Sequence, residues 1–576
     1  MNLRIALAQI NTVVGDVPGN VARMIAVIDE AKAAGAELVA FPELAVTGYP
    51  PEDLVLRPHF LRQNLEAVER LAVAAEGIVV VAGFIDVADD AYNAAAVCAD
   101  GGVRAVYRKI RLPNYGVFDE YRYFQAGVEP LVIHMGGRHI GLTICEDIWV
   151  PGGPAEELVV TGGCEVVLNI SASPYHMGKI GERERMLSTR ASDMGVYLAY
   201  CNLVGGQDEL VFDGSSVIFD QDGKAIARAR SFDEDLLICD LDLESVLVDR
   251  LSDPHSRHDR YESHLEGRSV AMVDVPNPQV APGRLDCQLQ QPPGPEEEVL
   301  RALVLGTGDY IRKNGFEKVA LGLSGGIDSA LVAAIAAEAL GPANVHAVYM
   351  PSPYSSEQST KDAIKLAESL GIPYQEVRIE DGMESFDRML TPALDGKPEG
   401  TTAENIQARI RGTLLMAISN ATGCLLLSTA NKSESAVGYS TLYGDMAGGF
   451  AVIKDCPKLW VYRICRHINQ RAGREIIPES VLTKAPTAEL RPDQKDTDSL
   501  PPYEVLDPIL EMLVEKDRSV ADCVAAGFDE ATVKRVMRMV QLAEYKRRQA
   551  APGVRLTHRN FSKDRRWPIT NRYRDE

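Results

Sequence analysis

The pattern of apolar and polar positions in the first half of the chain is that of a layered domain. Short apolar runs, typical of buried strands, alternate with stretches whose apolar residues recur every three or four positions. Strands are predicted over residues 3–10, 37–41, 77–85, 140–144 and 165–170, and a helix begins near Asn20. Turn residues at 100–102 and 221–223 separate further short strands and predict two hairpins. Mixed hairpins and helices of this kind indicate an α+β or α/β core.

From residue 296 the pattern becomes a regular alternation of strands and helices. The predicted strands cover 318–323, 345–350, 375–379 and 424–428. The predicted helices cover 296–313, 330–340, 357–370 and 404–420. Strand–helix–strand units at this spacing predict an α/β domain with a doubly wound parallel sheet.

Proline residues mark a change of texture between the two halves. They stand at positions 276, 278, 282, 292, 293 and 295. Because proline interrupts helices and strands, residues 266–295 are predicted to be a linker. The predicted organisation is a first domain over 1–265, this linker, a second domain over 296–550, and a basic, loop-like tail over 551–576.

Composition narrows the function classes. There are 60 Lys and Arg against 82 Asp and Glu, a formal net charge of −22, which disfavours a nucleic-acid partner. The ten cysteines form no C-x-x-C pair, so a zinc site of that type is not expected. The first residues lack the apolar stretch of a signal peptide, and no apolar run reaches membrane-spanning length. We expect a soluble, cytoplasmic protein in a reducing environment, without membrane contact.

The most specific motif of the second half is Leu-Gly-Leu-Ser-Gly-Gly-Ile-Asp-Ser at 321–329, between a predicted strand and a predicted helix. Gly325 and Gly326 permit a tight turn whose backbone N–H groups bind an anion, and Ser324 and Ser329 add hydroxyl donors. The helix N-terminus favours a multiply charged anion. Asp328 would repel that anion unless a cation lay between them, which suggests Mg²⁺. The alternative is a glycine-rich turn without a ligand.

The segment is not a Walker A loop, because no G-x-x-x-x-G-K-[S/T] is present. It resembles the loop of the ATP pyrophosphatase superfamily, which holds the pyrophosphate that leaves when ATP adenylates a carboxylate or another oxygen. Further segments resemble the NAD synthetases within that superfamily. These are Asn-Ile-Gln-Ala-Arg-Ile-Arg at 405–411, Ser-Thr-Ala-Asn-Lys-Ser-Glu at 428–434, Tyr-Gly-Asp at 443–445, Lys-Ala-Pro-Thr-Ala-Glu-Leu-Arg-Pro at 484–492 and Asp-Ser-Leu-Pro-Pro-Tyr at 498–503.

The resemblance implies roles for particular residues. It implies ATP contacts for Gly322, Ser324, Gly325, Gly326, Asp328, Ser329, Met350 and Thr429. It implies Mg²⁺ ligands at Asp328 and Glu434, and contacts to the dinucleotide substrate or to phosphate at Asn405, Arg409, Arg411 and Lys458. Many relatives carry Thr-Lys before Tyr-Gly-Asp, whereas Thr441-Leu442 stands here. Lys432, Lys454 and Lys458 remain alternatives for the missing lysine.

Three residues of the first half stand at the ends of predicted strands, where catalytic groups are common. They are Glu43, Lys109 and Cys145. A cysteine thiol must lose its proton to attack an amide, and Glu43 can accept it. The Lys109 ammonium can then offset the charge of the oxyanion. Taken singly, each residue is more often structural, since a buried cysteine usually acts as a small apolar side chain.

Together the three segments resemble the nitrilase superfamily, whose triad is Glu, Lys and Cys in this chain order. The resemblance implies an α-β-β-α sandwich over 1–265. The segment 113–124 resembles the glutaminase domains that are fused to NAD synthetases. It implies that Tyr115 and Phe118 wall a glutamine pocket and that Ser173 and Lys179 hold the amino-acid end of glutamine. It also implies that Glu120 braces the catalytic lysine.

The whole chain resembles the family of glutamine-dependent NAD synthetases. The resemblance implies that glutamine is hydrolysed to ammonia, and that ATP adenylates nicotinic acid adenine dinucleotide, which ammonia converts to NAD. It also implies a homo-oligomer with contacts between synthetase domains. One alternative is another ATP pyrophosphatase amidotransferase that acts on a different carboxylate. A second is a nitrilase-type domain that serves as a non-catalytic binding scaffold.

Overall fold

A computed structural model describes residues 2–252, 254–266, 268–278, 285 and 287–573. The chain forms two compact units, one of residues 1–207 and 211–293, the other of residues 208–210 and 294–576. The strands are β1 (Asn2–Gln9), β2 (Leu38–Ala40), β3 (Val79–Val87), β4 (Ala91–Ala99), β5 (Gly102–Arg108), β6 (Leu131–Met135), β7 (Arg138–Ile144), β8 (Val166–Ser171), β9 (Tyr197–Asn202), β10 (Val204–Gln207), β11 (Leu210–Asp213), β12 (Val217–Phe219), β13 (Ala225–Arg228), β14 (Asp235–Asp242), β15 (Ala271–Val275), β16 (Val319–Gly322), β17 (Val345–Tyr349), β18 (Tyr374–Glu376), β19 (Leu425–Ser428) and β20 (Phe450–Ala451).

The α-helices are α1 (Val17–Ala33), α2 (Pro58–Ala74), α3 (Pro154–Val160), α4 (Lys179–Met194), α5 (Leu243–Ser252), α6 (Pro254–Leu265), α7 (Pro295–Lys313), α8 (Ile327–Leu340), α9 (Glu357–Leu370), α10 (Glu380–Leu394), α11 (Thr401–Thr422), α12 (Lys432–Val437), α13 (Lys458–Ala472), α14 (Glu479–Thr483), α15 (Tyr503–Leu510), α16 (Val520–Ala525), α17 (Glu530–Leu542) and α18 (Glu544–Arg547). Among the described residues, no helix combines the length and apolar character needed to cross a membrane.

The first unit is a sandwich of two sheets. One has the strand order β14-β1-β2-β3-β4-β5 and the other β13-β12-β9-β8-β7-β6-β15. Apolar side chains of both sheets form one core between them, including Ile5, Leu38, Ile140 and Leu168. Helices α1 and α2 pack on the first sheet, and α3 and α4 pack on the second. The predicted α-β-β-α sandwich is confirmed, and both predicted hairpins are present as β4-β5 and β12-β13.

Part of the predicted linker belongs to this sandwich. Strand β15 lies within 266–295 and pairs in parallel with β6. The prolines that suggested a linker begin at position 276, directly after β15, so they end the strand without preventing it. Cys287 of the same stretch forms a disulfide with Cys239 of β14. This pairing departs from the expectation of free thiols in a reducing environment.

The second unit contains a parallel five-stranded sheet in the order β18-β17-β16-β19-β20. The reversal of order at β16 confirms the predicted doubly wound sheet. The strand predicted over 375–379 is shorter and earlier, because α10 begins at Glu380. Strand β20 was not predicted, since two residues give no periodic signal.

The end of the chain is packed into the second unit. Over 551–573, the part of the tail that the structure describes, the backbone forms no helix or strand, as the loop-like sequence predicts. Val554, Leu556 and Phe561 are nevertheless buried. The tail is therefore part of the folded unit, which its basic composition did not indicate.

Candidate active sites

Glu43, Lys109 and Cys145 each follow a strand of the first unit. Glu43 lies three residues after β2, and Lys109 and Cys145 directly follow β5 and β7. All three side chains are buried. The Lys109 Nζ atom lies 2.6 Å from Glu43 Oε1 and 2.8 Å from Glu120 Oε1. The charges of Glu43 and Lys109 both act on the Cys145 thiol, so the structure brings the three predicted residues together.

Cys145 is held in an uncommon backbone conformation at the turn that follows β7. Its φ angle is +43°, in the left-handed region that residues other than glycine rarely adopt. Burial raises the pKa of the thiol well above its usual range, and the charge of Glu43 adds to the shift while Lys109 opposes it. The resting thiol is therefore protonated at neutral pH and needs a base before it can attack.

Two carboxylates keep Lys109 charged. Burial disfavours the Lys109 ammonium, but Glu120 and Glu43 outweigh it and raise the lysine pKa well above the usual range. Burial raises the pKa of Glu120 to about 7, against the opposing effect of Lys109. The Tyr49 hydroxyl donates a hydrogen bond of 3.1 Å to Glu120. The contact between Glu120 and Lys109, which the family resemblance implies, is present.

The Glu43 carboxylate is fixed by the backbone around it. The Ala172 N–H donates a hydrogen bond of 2.9 Å to Glu43 Oε2. The segment that carries Glu43 lies directly on Gly83 of β3, where a Cβ atom would stand 2.3 Å from the Leu44 nitrogen. Since no side chain fits in that space, glycine at this position allows the close approach.

Aromatic rings and charged groups surround the cysteine turn. The rings of Tyr115 and Phe118 meet edge to face with centroids 5.5 Å apart. The Tyr115 hydroxyl donates a hydrogen bond of 2.9 Å to Glu146, the neighbour of Cys145. Lys179 Nζ lies 4.1 Å from the centroid of the Trp149 ring, and burial lowers the lysine pKa.

Ser173 lies in the loop that follows β8. The residue is buried, and its N–H donates a hydrogen bond of 3.0 Å to Asn202 Oδ1. Its predicted contact with glutamine, like those of Tyr115, Phe118 and Lys179, stays a prediction.

In the second unit, the glycine-rich segment 322–329 connects β16 to α8. Gly325 has a φ angle of +76°, and a Cβ atom there would lie 2.3 Å from the Ser359 carbonyl oxygen. Ser324 Oγ accepts a hydrogen bond of 3.2 Å from the Gly326 N–H and lies 3.1 Å from Ser329 Oγ. The loop therefore presents backbone and hydroxyl groups at the start of a helix, as an anion site requires.

Two carboxylates meet beside this loop, bridged by a lysine. Lys458 Nζ lies 2.5 Å from Asp328 Oδ2 and 3.0 Å from Glu434 Oε1. The Asn431 amide donates a hydrogen bond of 3.0 Å to Asp328 Oδ1. Burial raises the pKa of Glu434 to about 7, with Lys458 opposing and Asp328 adding to the shift. The two predicted metal ligands are thus close together in a buried, charged group.

A cavity of about 300 Å³ lies over the loop. Its lining includes every residue for which an ATP contact was predicted, namely Gly322, Ser324, Gly325, Gly326, Asp328, Ser329, Met350 and Thr429. Arg411, Glu434 and Lys458 line it as well. The Arg411 guanidinium donates a hydrogen bond of 3.1 Å to the Met350 carbonyl, and burial lowers its pKa to about 10.

Two predicted contacts lie outside this lining. Asn405 Oδ1 accepts a hydrogen bond of 2.9 Å from the Thr441 hydroxyl. Arg409 is exposed and donates to the Leu442 carbonyl at 3.2 Å. Neither is among the described residues that line the cavity. Their roles toward a dinucleotide stay predictions.

The donor set beside the loop suits Mg²⁺, which prefers carboxylate oxygens. Asp496 is a third carboxylate near Glu434, and the Tyr503 hydroxyl lies 2.9 Å from Asp496 and 3.4 Å from Glu434. Within the described ranges, no three or more His, Cys, Asp and Glu side chains are arranged to hold a metal ion by themselves. The residues fit an ion that takes its remaining ligands from water and phosphate, as Mg²⁺ usually does.

Comparison with known proteins places the whole chain in one family. Residues 4–249 match the carbon-nitrogen hydrolase family, and residues 299–550 match the NAD synthase family. A glutamine-dependent NAD(+) synthetase of Thermotoga maritima is 50% identical, over 100% of this chain and 99% of its own length. That of Aquifex aeolicus is 46% identical, over 99% and 100%. The chain belongs to the family of glutamine-dependent NAD(+) synthetases.

Solved structures of this family agree. The glutamine-dependent NAD+ synthetase of Acinetobacter baumannii, in complex with ADP, is 40% identical with a TM-score of 0.75, over 99% of both chains. The synthetase of Cytophaga hutchinsonii is 23% identical with a TM-score of 0.80, over 99% of this chain and 98% of its own. This second likeness supports the fold.

Within the family pattern, the structure separates the three candidate lysines. Lys432 is buried and paired with Asp455 and Glu515. Lys454 contacts Glu209 at 3.3 Å. Of the three, all of which the structure describes, Lys458 lines the cavity. The substitution of Lys458 for the lysine of other synthetases stays a prediction.

Several residues at the candidate sites received no role from the sequence, although some lie within the quoted segments. Asn431 stands within the quoted segment 428–434, but nothing in the sequence shows that its amide reaches Asp328. Lys484 and Glu489 line the cavity and form an ion pair of 2.6 Å. Glu146 is adjacent to Cys145 in the sequence, so its closeness to the predicted nucleophile could have been inferred from the sequence alone.

We expect Glu120→Gln to slow glutamine hydrolysis by about 10- to 100-fold, because a hydrogen bond to a charged group contributes about 1.5–3 kcal/mol. The amide keeps the shape but removes one of the two negative charges that hold Lys109. Glutamate release by the purified protein measures the effect. Glu30→Gln on the exposed side of α1 is the control, and equal rates for the two variants would contradict the role of Glu120.

Proposed function

We propose that the chain synthesises NAD from nicotinic acid adenine dinucleotide, with glutamine as nitrogen source and ATP as energy source. The observation that carries the proposal is that one chain brings together the predicted residues of two candidate sites. The first unit holds Cys145 with Glu43 and Lys109, and the second holds Asp328 with Glu434 beside an anion-binding loop. The relatives that share both units are named glutamine-dependent NAD(+) synthetases.

In the first site, the Cys145 thiol transfers its proton to Glu43 and attacks the side-chain amide of glutamine. The Lys109 ammonium stabilises the negative oxygen of the tetrahedral intermediate. Glu43 passes the proton it received to the leaving nitrogen, so that collapse of this intermediate releases ammonia, leaves a thioester on Cys145 and returns Glu43 to its carboxylate form. Glu43 then removes a proton from water, which hydrolyses the thioester to glutamate.

The amino-acid end of glutamine carries an ammonium and a carboxylate, and the surroundings of Cys145 match both charges. Glu146 is half-buried beside the nucleophile and would accept hydrogen bonds from the ammonium. Lys179, at the start of α4, would pair with the carboxylate, with Ser173 nearby in the chain. Tyr115 and Phe118 would wall the apolar part of the substrate.

In the second site, the backbone N–H groups of 324–326 and the N-terminus of α8 would bind the pyrophosphate of ATP. Arg411 and Lys458 would offset its charge, and Met350 would contact the adenine. Asp328 and Glu434 would hold Mg²⁺, which neutralises phosphate charge when bound. Adenylation joins the nicotinate carboxylate to the α-phosphate of ATP as a mixed anhydride and releases pyrophosphate. Ammonia then attacks the carbonyl carbon and displaces AMP.

The setting follows from the reaction. ATP and dinucleotides are intracellular metabolites, so we propose a cytoplasmic enzyme without nucleic-acid or membrane partners. We also propose a homo-oligomer with synthetase-domain contacts. Sedimentation of the purified protein tests the oligomer.

An isotope experiment tests the function and the transfer of ammonia together. The protein is supplied with ATP, Mg²⁺, nicotinic acid adenine dinucleotide and ¹⁵N-amide glutamine, in a buffer with excess unlabelled ammonium. Ammonia that escapes into neutral solution becomes ammonium, which is not a nucleophile. We therefore expect the amide of the NAD product to carry more ¹⁵N than the mixed nitrogen pool, as measured by mass spectrometry.

The outcomes separate the parts of the proposal. The absence of NAD would contradict the synthetase assignment, and NAD labelled only to the bulk ratio would contradict shielded transfer. A non-catalytic first unit would show no glutamate release and no effect of thiol alkylation.

A further inference from the structure

Lys432 is a buried lysine that the proposed reaction does not use. Its side chain is 4% exposed, and Nζ forms ion pairs of 3.0 Å with Asp455 and 2.9 Å with Glu515. Nζ also donates hydrogen bonds to the Arg559 carbonyl at 3.0 Å and to the Thr557 hydroxyl at 2.5 Å. Two of these partners come from the C-terminal tail, so the tail takes part in holding a buried charge.

Thr557 joins both members of the Lys432–Asp455 pair. Its hydroxyl accepts from Lys432 and donates to the Asp455 carboxylate, whose oxygens both lie 2.9 Å away. The backbone N–H groups of Leu556 and Thr557 donate to Asp455 Oδ2 at 2.8 and 2.7 Å. A side chain with one donor and free lone pairs is thus needed at this position.

Lys432 and Asp455 lie on the two chain segments that carry residues of the predicted metal site. Lys432 follows Asn431, whose side chain donates to Asp328 and accepts a hydrogen bond of 2.9 Å from the Glu434 N–H. Asp455 precedes Lys458 by three residues. The two segments are also tied by the Lys432 N–H, which donates to the Cys456 carbonyl at 2.9 Å.

We propose that Thr557 is a positioning residue of the synthetase reaction. By fixing Lys432 against Asp455, its hydroxyl sets the distance between the segments that carry Glu434 and Lys458, and so their placement around Asp328. This inference rests on the proposed roles of Asp328 and Glu434 as Mg²⁺ ligands.

The physical reason is that a buried ion pair is destabilised when either ion loses a hydrogen-bond partner. Without the hydroxyl, Asp455 loses a donor and Lys432 an acceptor in a place that water reaches poorly, so the two segments must shift to find new partners. Partners that orient metal ligands typically change metal affinity by 10- to 100-fold when removed. A valine keeps the shape of threonine and removes only the hydroxyl, while a serine keeps the hydroxyl.

The test compares Thr557→Val with Thr557→Ser, and uses Thr307→Val, a fully buried threonine of α7, as the matched control. Mn²⁺ binding in the presence of a non-hydrolysable ATP analogue is measured by electron paramagnetic resonance. We expect Thr557→Val to weaken Mn²⁺ binding by about tenfold or more, and to lower kcat of ammonium-driven synthesis with little change in the KM for ATP. Thr557→Ser and Thr307→Val should resemble the wild type.

Thermal unfolding of each variant checks the fold, and Thr557→Ala carries the same expectation if the valine variant does not fold. Wild-type Mn²⁺ affinity in a folded Thr557→Val or Thr557→Ala protein would overturn the inference. A loss in Thr557→Ser as large as in Thr557→Val would overturn it too. Glu434→Gln tests the proposed metal site separately from the proposed role of Thr557. If this variant leaves Mn²⁺ binding unchanged, the assignment of Glu434 as a metal ligand fails and the inference about Thr557 fails with it.

Discussion

Replacing Cys145 by alanine is expected to abolish glutamine-driven NAD synthesis while synthesis from high ammonium continues. The variant removes the nucleophile, and without a thioester the amide of glutamine has no route to ammonia in this site. We expect glutamate release to fall by at least about 10³-fold, as for the loss of a covalent nucleophile in other enzymes. The second unit has its own fold and its own cavity. With ATP and the dinucleotide present, it therefore needs only ammonia from the first unit, and added ammonium can replace that supply.

The measurement is NAD formation with each nitrogen source, together with glutamate release. Cys98→Ala is the matched control, because Cys98 is also a buried free thiol of the first unit. Loss of both activities in a folded Cys145→Ala protein would contradict the assignment of two separate sites, and loss in Cys98→Ala would point to a packing effect.

Replacing Asp328 by asparagine is expected to remove synthesis with either nitrogen source, because adenylation precedes the attack of ammonia. The variant keeps the size of the side chain and removes one negative charge from the group that faces Lys458 and Glu434. Loss of one electrostatic contact of this kind typically lowers kcat by about 10²- to 10³-fold. Glutamate release, which depends on the first unit, is the internal reference.

Asp381→Asn provides the comparison for this variant. Asp381 also lies in the first turn of a helix of the second unit, α10, and its side chain is exposed. Full activity of Asp328→Asn with ammonium would exclude Asp328 from the site, whereas equal losses in both variants would indicate a general effect of aspartate replacement.

The sequence was sufficient for the parts of the molecule whose signal is local. The loop at 322–329 can be recognised from the sequence because glycine, serine and aspartate occur together between a predicted strand and a predicted helix. The strand-end positions of Glu43, Lys109 and Cys145 likewise follow from apolar runs that stop before them. Most central strands of both units could be predicted in this way, but β6, β14 and the two-residue β20 were not, and the sandwich of two sheets was implied by the family resemblance.

The remaining features depend on residues far apart in the chain. The contact of Lys432 with Thr557 spans 125 residues, and that of Asn431 with Asp328 spans 103. No periodicity encodes such pairs, so the role of the tail could not be predicted from its basic composition. The pairing of Cys239 with Cys287 and the addition of β15 to the sheet were missed for the same reason.

The position of Lys458 between Asp328 and Glu434 affects the order in which the metal ion and ATP would bind to the second unit. The Lys458 ammonium contacts both Asp328 and Glu434, so a bare divalent cation meets a competitor already in contact with both predicted ligands. A bound nucleoside triphosphate changes this competition, because its phosphate oxygens offer Lys458 another anionic partner. The two carboxylates then become free to contact the cation. The second unit would thus bind the cation mainly as its complex with the nucleotide, and would bind the free cation only weakly.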